Sequence, residues 1–503
     1  MKLSQLFGKA GLSYSPALGE IEICNIATDS RKVEKGSLFV CIRGLHFDGH
    51  DGIEEAMDKG AAVIVAEQVR DVFVGGAAIV EVENTRSTLA LLYDAWYGCP
   101  SQKLRIVGVT GTNGKTSVTW MLHDVFSRLG FRCGMIGTVD CLSGREQLPK
   151  HSGGVLANLT TPDPEELYAM LARMVEDRVD FVFMEVTSHA LALGKCDAIL
   201  FDTAVFTNLT QDHLDFHKNM EDYRKAKEKL FTMCRRAVLN VDDSVGRQIF
   251  ERMKTCAVSC SCYGDATYTA RNIKNEGVGV LSYRLGTPTG SCPVFLPLPG
   301  EFFVINSLQV AAVAAEYGIT AERVSFALQT MQAIPGRMER VTLEARVPFS
   351  VWIDYAHTPD ALEKVLHSLR RASDGEGKLI LVFGCGGERD RSKRKEMAII
   401  ASRLADFVIV TSDNSRGENP EQIFHDILCG IDKEKPFLLI RDRKDAIAYA
   451  VWHASAKDKI LLAGKGHERY EIDATGRHPF DEREIVKTAV ARSIWNGGQT
   501  KER

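Results

Sequence analysis

The chain has 503 residues, which is too long for one hydrophobic core, and roughly 150 residues per domain predicts about three domains. It is 45% hydrophobic and 25% charged with a net charge of −4, an ordinary globular composition without a strongly basic segment for nucleic acid. No apolar stretch approaches the ~18 residues of a membrane helix, and MKLSQLFGKAGLSYS has no long apolar core. We therefore expect a cytoplasmic protein that binds neither membrane nor nucleic acid.

Residues 1–100 are predicted to form an α/β domain. Short β-like runs alternate with helical patterns along this segment, in the order Ser37–Ile42, Ile53–Lys59, Ala61–Val65 and Thr85–Trp96. The segment closes at Gly98-Cys99-Pro100-Ser101, whose residues favour a turn and indicate a linker.

Two further alternations of strand and helix follow the linker. The first contains apolar runs of the buried-strand type at Leu104–Val109, Phe181–Val186 and Ala204–Phe206. The second begins after Ile334-Pro335-Gly336-Arg337 and contains runs at Val351–Ile353, Leu379–Phe383, Phe407–Val410, Phe437–Ile440 and Ile460–Ala463. Strands that alternate with helices are typical of parallel sheets, so we predict α/β domains at 101–335 and 336–503.

A glycine-rich turn joins the first central strand to a helix in LRIVGVTGTNGKTSVTWML, residues 104–122. Backbone N–H groups of Gly111–Lys115 and the helix N-terminus can hold phosphates, Lys115 can reach the terminal phosphate, and Thr116 can bind Mg²⁺. The spacing is a variant, G-x-x-G-K-T, because Val109 stands where the strict motif has glycine. The alternative is a strand-to-helix turn without a ligand.

Two strand ends carry groups that can bind a metal. The run Phe181–Met184 leads to Glu185, and the run Ala204–Phe206 leads to a segment that contains His213. Ligands of parallel α/β sheets bind at the carboxyl ends of the strands. Since Mg²⁺ prefers oxygen, Glu185 is the main candidate ligand and His213 a minor one, and a solvated loop histidine is the alternative.

The segment MEDYRKAKEKLF, residues 220–231, is predicted to be a helix. Tyr223, Lys227 and Phe231 share one apolar face, so Lys227 is the lysine of this cluster that lies on the apolar stripe. A desolvated lysine becomes a nucleophilic amine that can form a carbamate with carbon dioxide. Helical spacing alone favours the alternative, a lysine whose ammonium reaches the surface.

Seven ordered segments resemble the Mur ligase family: V-T-G-T-N-G-K-T, M-E-V-T-S-H-A-L, T-N-L-T-Q-D-H-L-D-F-H, Y-x-x-A-K-x-x-L-F, N-S-L-Q-V-A-A, P-G-R-M-E and D-Y-A-H-T-P. The resemblance spans nearly the whole chain. At the N-terminus, A-T-D-S-R, L-F-V-C-I-R-G and D-G-H are similar to the subgroup that adds the third residue of the peptidoglycan peptide. The resemblance implies a uridine-nucleotide-binding domain at 1–100, an ATP-binding domain at 101–335 and a Rossmann-like, amino-acid-binding domain at 336–503.

The resemblance implies an ATP-dependent amide bond formed through an acyl phosphate. The implied ATP contacts are Gly111, Thr112, Asn113, Gly114, Lys115, Thr116, Ser117, Asn306, Arg337 and Asp354. The implied catalytic residues are Lys115, Glu185, His213 and Lys227. Two Mg²⁺ ions are expected at Thr116, Glu185, His213 and Lys227, with Lys227 modified to N6-carboxylysine.

The nucleotide-sugar substrate implied by the resemblance is UDP-N-acetylmuramoyl-L-alanyl-D-glutamate. Its implied contacts are Thr28, Ser30, Leu45, His46, Phe47, Thr160, Thr161, Thr187, Leu193 and Lys195. Leu193 and Lys195 stand where close relatives carry Gln and Arg. A lysine carries a compact point charge, whereas an arginine presents a planar pair of donors.

The amine substrate is expected to be meso-diaminopimelate. Family members that use it carry D-N-P-R, whose arginine binds the distal carboxylate, and this chain reads Asp413-Asn414-Ser415-Arg416. Serine does not restrict φ as proline does, so a looser turn is expected at Ser415. The implied diaminopimelate contacts are Arg389, Asp413, Asn414, Ser415, Arg416, Gly464 and Glu468.

Alternatives remain open at this point. The same ligase could use L-lysine, or the chain could be a folylpolyglutamate synthase or the ligase that adds D-Ala-D-Ala. A nucleotide-gated binding protein is the alternative outside the enzymes. We expect a monomer.

Overall fold

The computed structural model describes residues 1–44, 47–67, 76–149, 159–277, 279–371 and 377–499, with side chains described to residue 493. These residues form two compact units, which are described separately. The first contains Met1–Thr110, Phe131–Ala204 and Ala226–Arg236. The second contains Gly111–Gly130, Val205–Lys225 and Ala237–Arg503.

The N-terminal part of the first unit is an α/β layer. Its elements are α1 (Leu3–Ala10), β1 (Ile26–Ala27), β2 (Leu38–Val40), α2 (Ile53–Asp58), β3 (Val63–Ala66), β4 (Ala78–Glu81) and α3 (Thr85–Trp96). The four strands pair in parallel in the order β1-β2-β3-β4. Phe39, Ile53 and Ile64 form part of its core, which explains the apolar runs in this segment.

The middle of the chain continues the alternation of strand and helix. Its elements are β5 (Arg105–Thr110), α4 (Lys115–Arg128), β6 (Cys133–Ile136), β7 (Cys141–Ser143), β8 (Glu146–Gln147), α5 (Pro164–Glu176), β9 (Phe181–Glu185), α6 (Ser188–Ala192), β10 (Phe201–Phe206), α7 (Met220–Glu228), β11 (Cys234–Asn240), α8 (Ser244–Met253), β12 (Ala257–Ser261), β13 (Tyr268–Asn275), β14 (Leu281–Thr287), β15 (Gly290–Leu296), α9 (Phe302–Glu316) and α10 (Ala321–Gln329).

In the first unit, β9 lies between β5 and β6 and pairs in parallel with both. All five residues of β9 are buried, as expected for a parallel strand covered on both faces. The antiparallel strands β7 and β8 extend this edge. In the second unit, β11, β12 and β13 pair in parallel, and β14 and β15 continue as antiparallel strands that the sequence patterns did not predict.

The C-terminal part of the second unit is built on a six-stranded sheet. Its elements are β16 (Glu339–Arg340), β17 (Ser350–Asp354), α11 (Pro359–Arg371), β18 (Leu379–Phe383), α12 (Ser392–Leu404), β19 (Phe407–Val410), α13 (Pro420–Leu428), β20 (Phe437–Leu439), α14 (Arg443–Trp452), β21 (Lys459–Ala463), β22 (Tyr470–Asp473), β23 (Gly476–Pro479) and α15 (Glu482–Gln499). The strand order is β16-β17-β21-β18-β19-β20, with only β16 antiparallel to its neighbour among the described strands of this sheet.

The parallel order of this sheet places three loops at one edge. The loops that follow β18, β19 and β21 all leave from carboxyl ends, where α/β sheets bind ligands. Val382, Ile409 and Leu462 lie in the core beneath them. The predicted fold class, with mixed α/β elements around parallel sheets, is confirmed.

Candidate active site

The predicted phosphate loop has the backbone shape that its glycines allow. Gly111 has φ +148° and Gly114 has φ +88°, and α4 begins at the next residue, Lys115. A Cβ on Gly111 would overlap Oγ1 of Thr207, so a side chain is excluded there. Lys115 Nζ donates to the carbonyls of Gly111 at 2.9 Å and Thr112 at 2.8 Å. A cation is therefore held across the turn at the start of a helix.

The segment after β10 holds this loop in place. Thr112 N donates to the Asn208 carbonyl at 2.8 Å, and Asn113 N donates to Asn208 Oδ1 at 3.0 Å. Asn113 Nδ2 donates to Asp360 Oδ2 at 2.8 Å. Asn208 was not predicted as a site residue, although its position directly after a strand end could have indicated one.

Arg337 and Asp354, both predicted as nucleotide contacts, lie near the same helix start. Arg337 Nη2 donates to Thr116 Oγ1 at 3.0 Å, and its guanidinium carbon is 4.6 Å from the Tyr355 ring centroid. Asp354 accepts hydrogen bonds of 2.7 Å from the N–H groups of Met338 and Ala356. Burial raises the pKa of Asp354 to about 6, against the opposing charge of Arg337.

Asn306 has an unsatisfied donor beside the phosphate loop. Its side chain is buried, and its Nδ2 has no hydrogen-bond partner in the part of the chain that the structure describes. Its Oδ1 lies 3.3 Å from the position that a Cβ on Gly114 would occupy. Buried amide donors are rarely left without an acceptor, so this atom fits a ligand acceptor at the loop.

A charged cluster surrounds Asp212, which the sequence did not predict. Its carboxylate lies 3.5 Å from His213 Nε2, 3.8 Å from His357 Nε2 and 3.6 Å from Lys393 Nζ. Burial opposes ionisation of Asp212, but these neighbours hold its pKa well below the usual range. Burial and the Lys393 charge lower the pKa of His357 to about 4, so His357 is neutral at pH 7. His213 therefore lies beside a carboxylate anion.

In the first unit, Glu185 ends β9 and is 1% exposed. Its Oε1 accepts from Thr138 N at 2.6 Å, and its Oε2 accepts from Thr138 Oγ1 at 3.1 Å. Thr138 Oγ1 is 2.9 Å from Thr160 Oγ1, and Thr161 Oγ1 donates to the Glu185 carbonyl at 2.9 Å. Thr187 N donates to Thr161 Oγ1 at 3.1 Å. Thr138 thus binds the buried carboxylate directly, and three further threonines extend the hydrogen-bond network around Glu185.

Thr138 is the member of this group that the sequence interpretation missed. It follows β6, which pairs in parallel with β9, so its position after a neighbouring strand end was an available signal. Gly137 precedes it, and a Cβ there would lie 2.5 Å from Glu185 Oε1. The carboxylate therefore packs directly on the glycine backbone.

The oxygen donors fit magnesium chemistry. In the second unit Thr116 offers a hydroxyl, and in the first unit Glu185 offers a carboxylate; both are ligand types that Mg²⁺ prefers. Among the described residues, no group of three or more His, Cys, Asp and Glu side chains converges as a metal site. Nucleotide-associated Mg²⁺ needs only one or two protein oxygens besides phosphates and water, so the chemistry of each of these oxygens fits the ion.

Lys227 is buried, with 1% of its surface exposed. Tyr223 and Leu230 on the same stripe are 0% exposed and Phe231 is 7% exposed. The alternative in which the ammonium reaches solvent is therefore wrong. The predicted helix over 220–231 is also shorter than expected, because α7 ends at Glu228 and a 3₁₀ turn covers Lys229–Thr232.

The residues predicted for the nucleotide-sugar differ in exposure. Thr28 and Phe47 are exposed, Phe47 at 58%, whereas Ser30 is buried and donates to Glu55 Oε2 at 2.5 Å. Leu193 is partly buried, and Lys195 Nζ pairs with Asp163 Oδ1 at 2.7 Å. Leu45 and His46 lie outside the described residues.

The three loops at the edge of the C-terminal sheet are joined by hydrogen bonds. Asn414 Nδ2 donates to Glu468 Oε2 at 2.8 Å, and Lys465 Nζ donates to Asn414 Oδ1 at 2.9 Å. Arg416 Nη1 donates to the Gly387 carbonyl at 2.8 Å. The loops after β18, β19 and β21 therefore meet at one place.

Acids and arginines occur together in these loops. Burial and the neighbouring Asp413 raise the pKa of Glu468 to about 7. Burial opposes ionisation of Asp413, but Lys465 and Arg443 hold its pKa below the usual range. Burial and the like charge of Arg389 lower the pKa of Arg416. An amino acid with separate ammonium and carboxylate groups matches this arrangement.

The comparisons with known proteins agree with this geometry. Profiles described as Mur ligase family, catalytic domain, as Mur ligase middle domain, and as Mur ligase, glutamate ligase domain match residues 22–96, 109–314 and 336–466. UDP-N-acetylmuramoyl-L-alanyl-D-glutamate--2,6-diaminopimelate ligase of Clostridioides difficile (strain 630) is 42% identical over 499 residues, 98% of this chain and 100% of the relative. The chain belongs to the Mur ligase family.

Further Mur ligases extend the comparison. The ligase of the same name from Bacillus velezensis (strain DSM 23117 / BGSC 10A6 / LMG 26770 / FZB42) is 42% identical over 481 residues, 93% of this chain and 94% of the relative. A solved structure of a ligase with that name has a TM-score of 0.68 and 29% identity, and covers 98% of this chain and 100% of its own. The predicted Mur ligase resemblance and the ligase class are confirmed.

Within the described residues, no helix is both long and apolar enough to cross a membrane.

The turn at Ser415 is tightly packed in this Mur ligase. The turn at Ser415 was expected to be loose, but Ser415 is 8% exposed and its carbonyl accepts from Glu418 N at 3.0 Å. A Cβ on Gly387 would overlap the Ser415 carbonyl oxygen, so the two loops pack backbone to backbone. The turn is held by its neighbours without a proline.

Proposed function

We propose that this Mur ligase adds meso-diaminopimelate to UDP-N-acetylmuramoyl-L-alanyl-D-glutamate with conversion of ATP to ADP and phosphate, in peptidoglycan precursor synthesis. The observation that carries the proposal is the meeting of Arg416 and Glu468 in loops joined through Asn414. An amino acid that has a second carboxylate beyond its reacting amine suits a guanidinium and a carboxylate placed in this way. Relatives 42% identical to the chain carry the name of this ligase.

The first step activates the substrate carboxylate. Its oxygen attacks the γ-phosphate of ATP, the bond from the γ-phosphorus to the bridging oxygen breaks, and ADP leaves an acyl phosphate behind. Lys115 and the N-terminus of α4 would stabilise the negative charge on the transferred phosphoryl group. Asn306, Arg337 and Asp354 are the proposed nucleotide contacts from the rest of the second unit.

Magnesium, when bound, would neutralise charge on the phosphates. Thr116, Glu185 and His213 are proposed to hold it, together with Lys227 as N6-carboxylysine. Burial favours the neutral amine of a lysine, and the neutral Nζ can attack carbon dioxide and release a proton to give an anionic carbamate. The 1% exposure of Lys227 supports this assignment, because a buried ammonium is expensive to desolvate.

The second step forms the amide. The amine attacks the acyl carbon to give a tetrahedral intermediate, phosphate leaves, and the nitrogen loses its extra proton. Arg389 and Arg416 are proposed to bind carboxylate groups of the amino acid, and Asp413 and Glu468 its ammonium groups. L-lysine has no distal carboxylate, so its binding would leave the Arg416 charge unpaired. L-lysine is therefore the weaker alternative as the amine substrate.

The test combines ATP, Mg²⁺ and the UDP-sugar dipeptide with meso-diaminopimelate, L-lysine, D-Ala-D-Ala or no amine. We expect one phosphate released per tripeptide formed, with meso-diaminopimelate preferred to L-lysine by orders of magnitude. Phosphate release and product mass measure the two outcomes. Equal rates with L-lysine would contradict the amine assignment, and binding of a folate in place of the uridine nucleotide would support the folylpolyglutamate alternative. Nucleotide binding without product formation would support a binding protein.

A further inference from the structure

Two fully buried arginines lie behind the loops of the C-terminal sheet and belong to none of the predicted contacts. The side chains of Arg394 and Arg443 are both 0% exposed. Arg394 pairs with Glu418, and Arg443 pairs with Glu482. Buried ion pairs often contribute little stability compared with apolar residues, so their hydrogen bonds are the better guide to what they do.

The guanidinium of Arg394 connects the loop after β18 to the loop after β19. Its Nη1 and Nη2 donate to the two carboxylate oxygens of Glu418, both at 2.8 Å. Nη1 also donates to Asp426 Oδ2 at 2.8 Å, and Nη2 donates to the Gly386 carbonyl at 3.2 Å. Glu418 in turn accepts from Glu388 N at 2.9 Å. The ion pair therefore joins the loop after β18 to the loop after β19.

Both of these loops contain strained backbone. Glu388 and Arg416 each have φ +52°, a left-handed conformation that L-residues other than glycine adopt at a cost. Such conformations persist only where the surroundings enforce them. Two direct bonds join the strained turns, from Gly387 N to the Asn414 carbonyl at 2.9 Å and from Arg416 Nη1 to the Gly387 carbonyl at 2.8 Å.

The pair stays ionised at neutral pH. Hydrogen bonds from Arg394 lower the pKa of Glu418 to about 2, although its burial acts in the opposite direction. The bidentate geometry matches guanidinium to carboxylate in a way that lysine cannot reproduce.

Arg443 joins the loop after β19 to the end of β21 through hydrogen bonds that do not involve Arg394. Its Nη1 donates to the Ser412 carbonyl at 3.1 Å, its Nη2 donates to the Ala463 carbonyl at 2.8 Å, and its Nε donates to Glu482 Oε1 at 2.8 Å. The starts of the loops after β19 and β21 are thus fixed to each other without Arg394. Disruption of Arg394 should therefore displace the turns that carry Arg389 and Arg416, while Arg443 still holds the ends of β19 and β21.

We propose that Arg394 and Glu418 are positioning residues. They hold Arg389 and Arg416 in the geometry that binds the distal carboxylate of the amine substrate. This inference rests on the proposed function. Neither residue contacts the substrate; each acts through the loop that it holds.

The test uses Arg394→Lys and Glu418→Gln, which keep the approximate size of each side chain and remove the fork or the charge. We expect the KM for meso-diaminopimelate to rise about tenfold or more, because a displacement of about 1 Å is enough for such a loss. The selectivity for meso-diaminopimelate over L-lysine should fall by a similar factor. The KM values for ATP and for the UDP-sugar dipeptide should stay unchanged.

Arg370→Lys is the matched control. Arg370 pairs with Asp406 at 2.6 Å, and Asp406 accepts from Leu379 N, so this pair lies at the opposite ends of β18 and β19. We expect the control to leave both the amine KM and the selectivity unchanged. An unchanged amine KM in the Arg394 and Glu418 variants, with activity lost only in proportion to the folded fraction, would overturn the proposal.

A double variant separates positioning from stability if the single variants fail to fold. Arg394→Met with Glu418→Leu replaces the ion pair by apolar contacts, a change that proteins often tolerate. We expect a folded protein with a raised amine KM, and a wild-type amine KM would overturn the proposal. Failure of the proposed function would be visible in the wild type itself, as absent turnover of meso-diaminopimelate. The same KM comparison would then use the amine that the wild type accepts.

Discussion

Arg416 has guanidinium donors that are available to bind a carboxylate of the amine substrate. Arg416 is partly buried, and its Nη1 is engaged by the carbonyls of Gly387 and Asn414. Its Nε and Nη2 have no hydrogen-bond partner within the described ranges of the chain, so they form the pair of donors that a carboxylate can accept from. The hydrogen bonds of Nη1 thus orient the guanidinium, and Nε and Nη2 remain available to donate to a ligand carboxylate.

Arg416→Ala removes this bidentate contact. Truncation of one partner of a buried, hydrogen-bonded charge pair costs about 2–4 kcal/mol, which corresponds to about a 30- to 1,000-fold loss in kcat/KM for meso-diaminopimelate. The corresponding loss with L-lysine should be much smaller, because L-lysine has no distal carboxylate to lose. Arg416→Lys keeps the charge without the fork, and we expect a loss of about tenfold.

The assay is amine-dependent phosphate release at saturating ATP and UDP-sugar dipeptide, with each amine varied in turn. Arg477→Ala is the control, since Arg477 is exposed and stacks on the Tyr470 ring at 3.7 Å in the neighbouring hairpin. A loss below about threefold for meso-diaminopimelate, or an equal loss with both amines, would refute the reasoning, because the predicted interaction is worth at least about 2 kcal/mol.

Three further predictions concern other parts of the chain. Lys227→Ala should abolish phosphate release because the carbamate is lost, and added short carboxylic acids should partly restore it; wild-type rates in the variant would contradict the carbamate. Because the pKa of Glu468 is raised to about 7, its anionic form is lost as pH falls, so kcat/KM for the amine should decrease by about tenfold per unit below pH 7. Glu468→Gln should flatten that limb of the pH profile, and an unchanged profile would exclude Glu468 as its source. Gly336 has φ +66° and an added Cβ would overlap His467 N, so Gly336→Ala should destabilise the fold by about 2–4 kcal/mol. Thermal unfolding should show a lowered Tm for this variant and not for Gly8→Ala, where an added Cβ meets nothing within 4 Å.

Several features of this protein follow from local sequence. The strands β18 and β19 have the predicted bounds, and α3 also begins and ends as predicted. Buried parallel strands are continuous apolar runs, and glycine, asparagine and aspartate mark the turns that follow, so both signals lie within a few residues of one another. The phosphate loop and the position of Glu185 at the end of β9 were predictable for the same reason.

The tertiary structure decided what local patterns do not contain. Thr116 and Arg337 are separated by 221 residues, and their hydrogen bond depends on how distant segments fold together. Helical spacing alone favoured a Lys227 ammonium that reaches solvent, and only the folded structure shows that the side chain is buried. Thr138 and Arg394 gain their roles only from neighbours across the sheet or between loops. Pattern and turn chemistry thus determined the elements and many candidate residues, whereas burial and long-range pairing, which arise only when distant segments pack, determined which side chains act together.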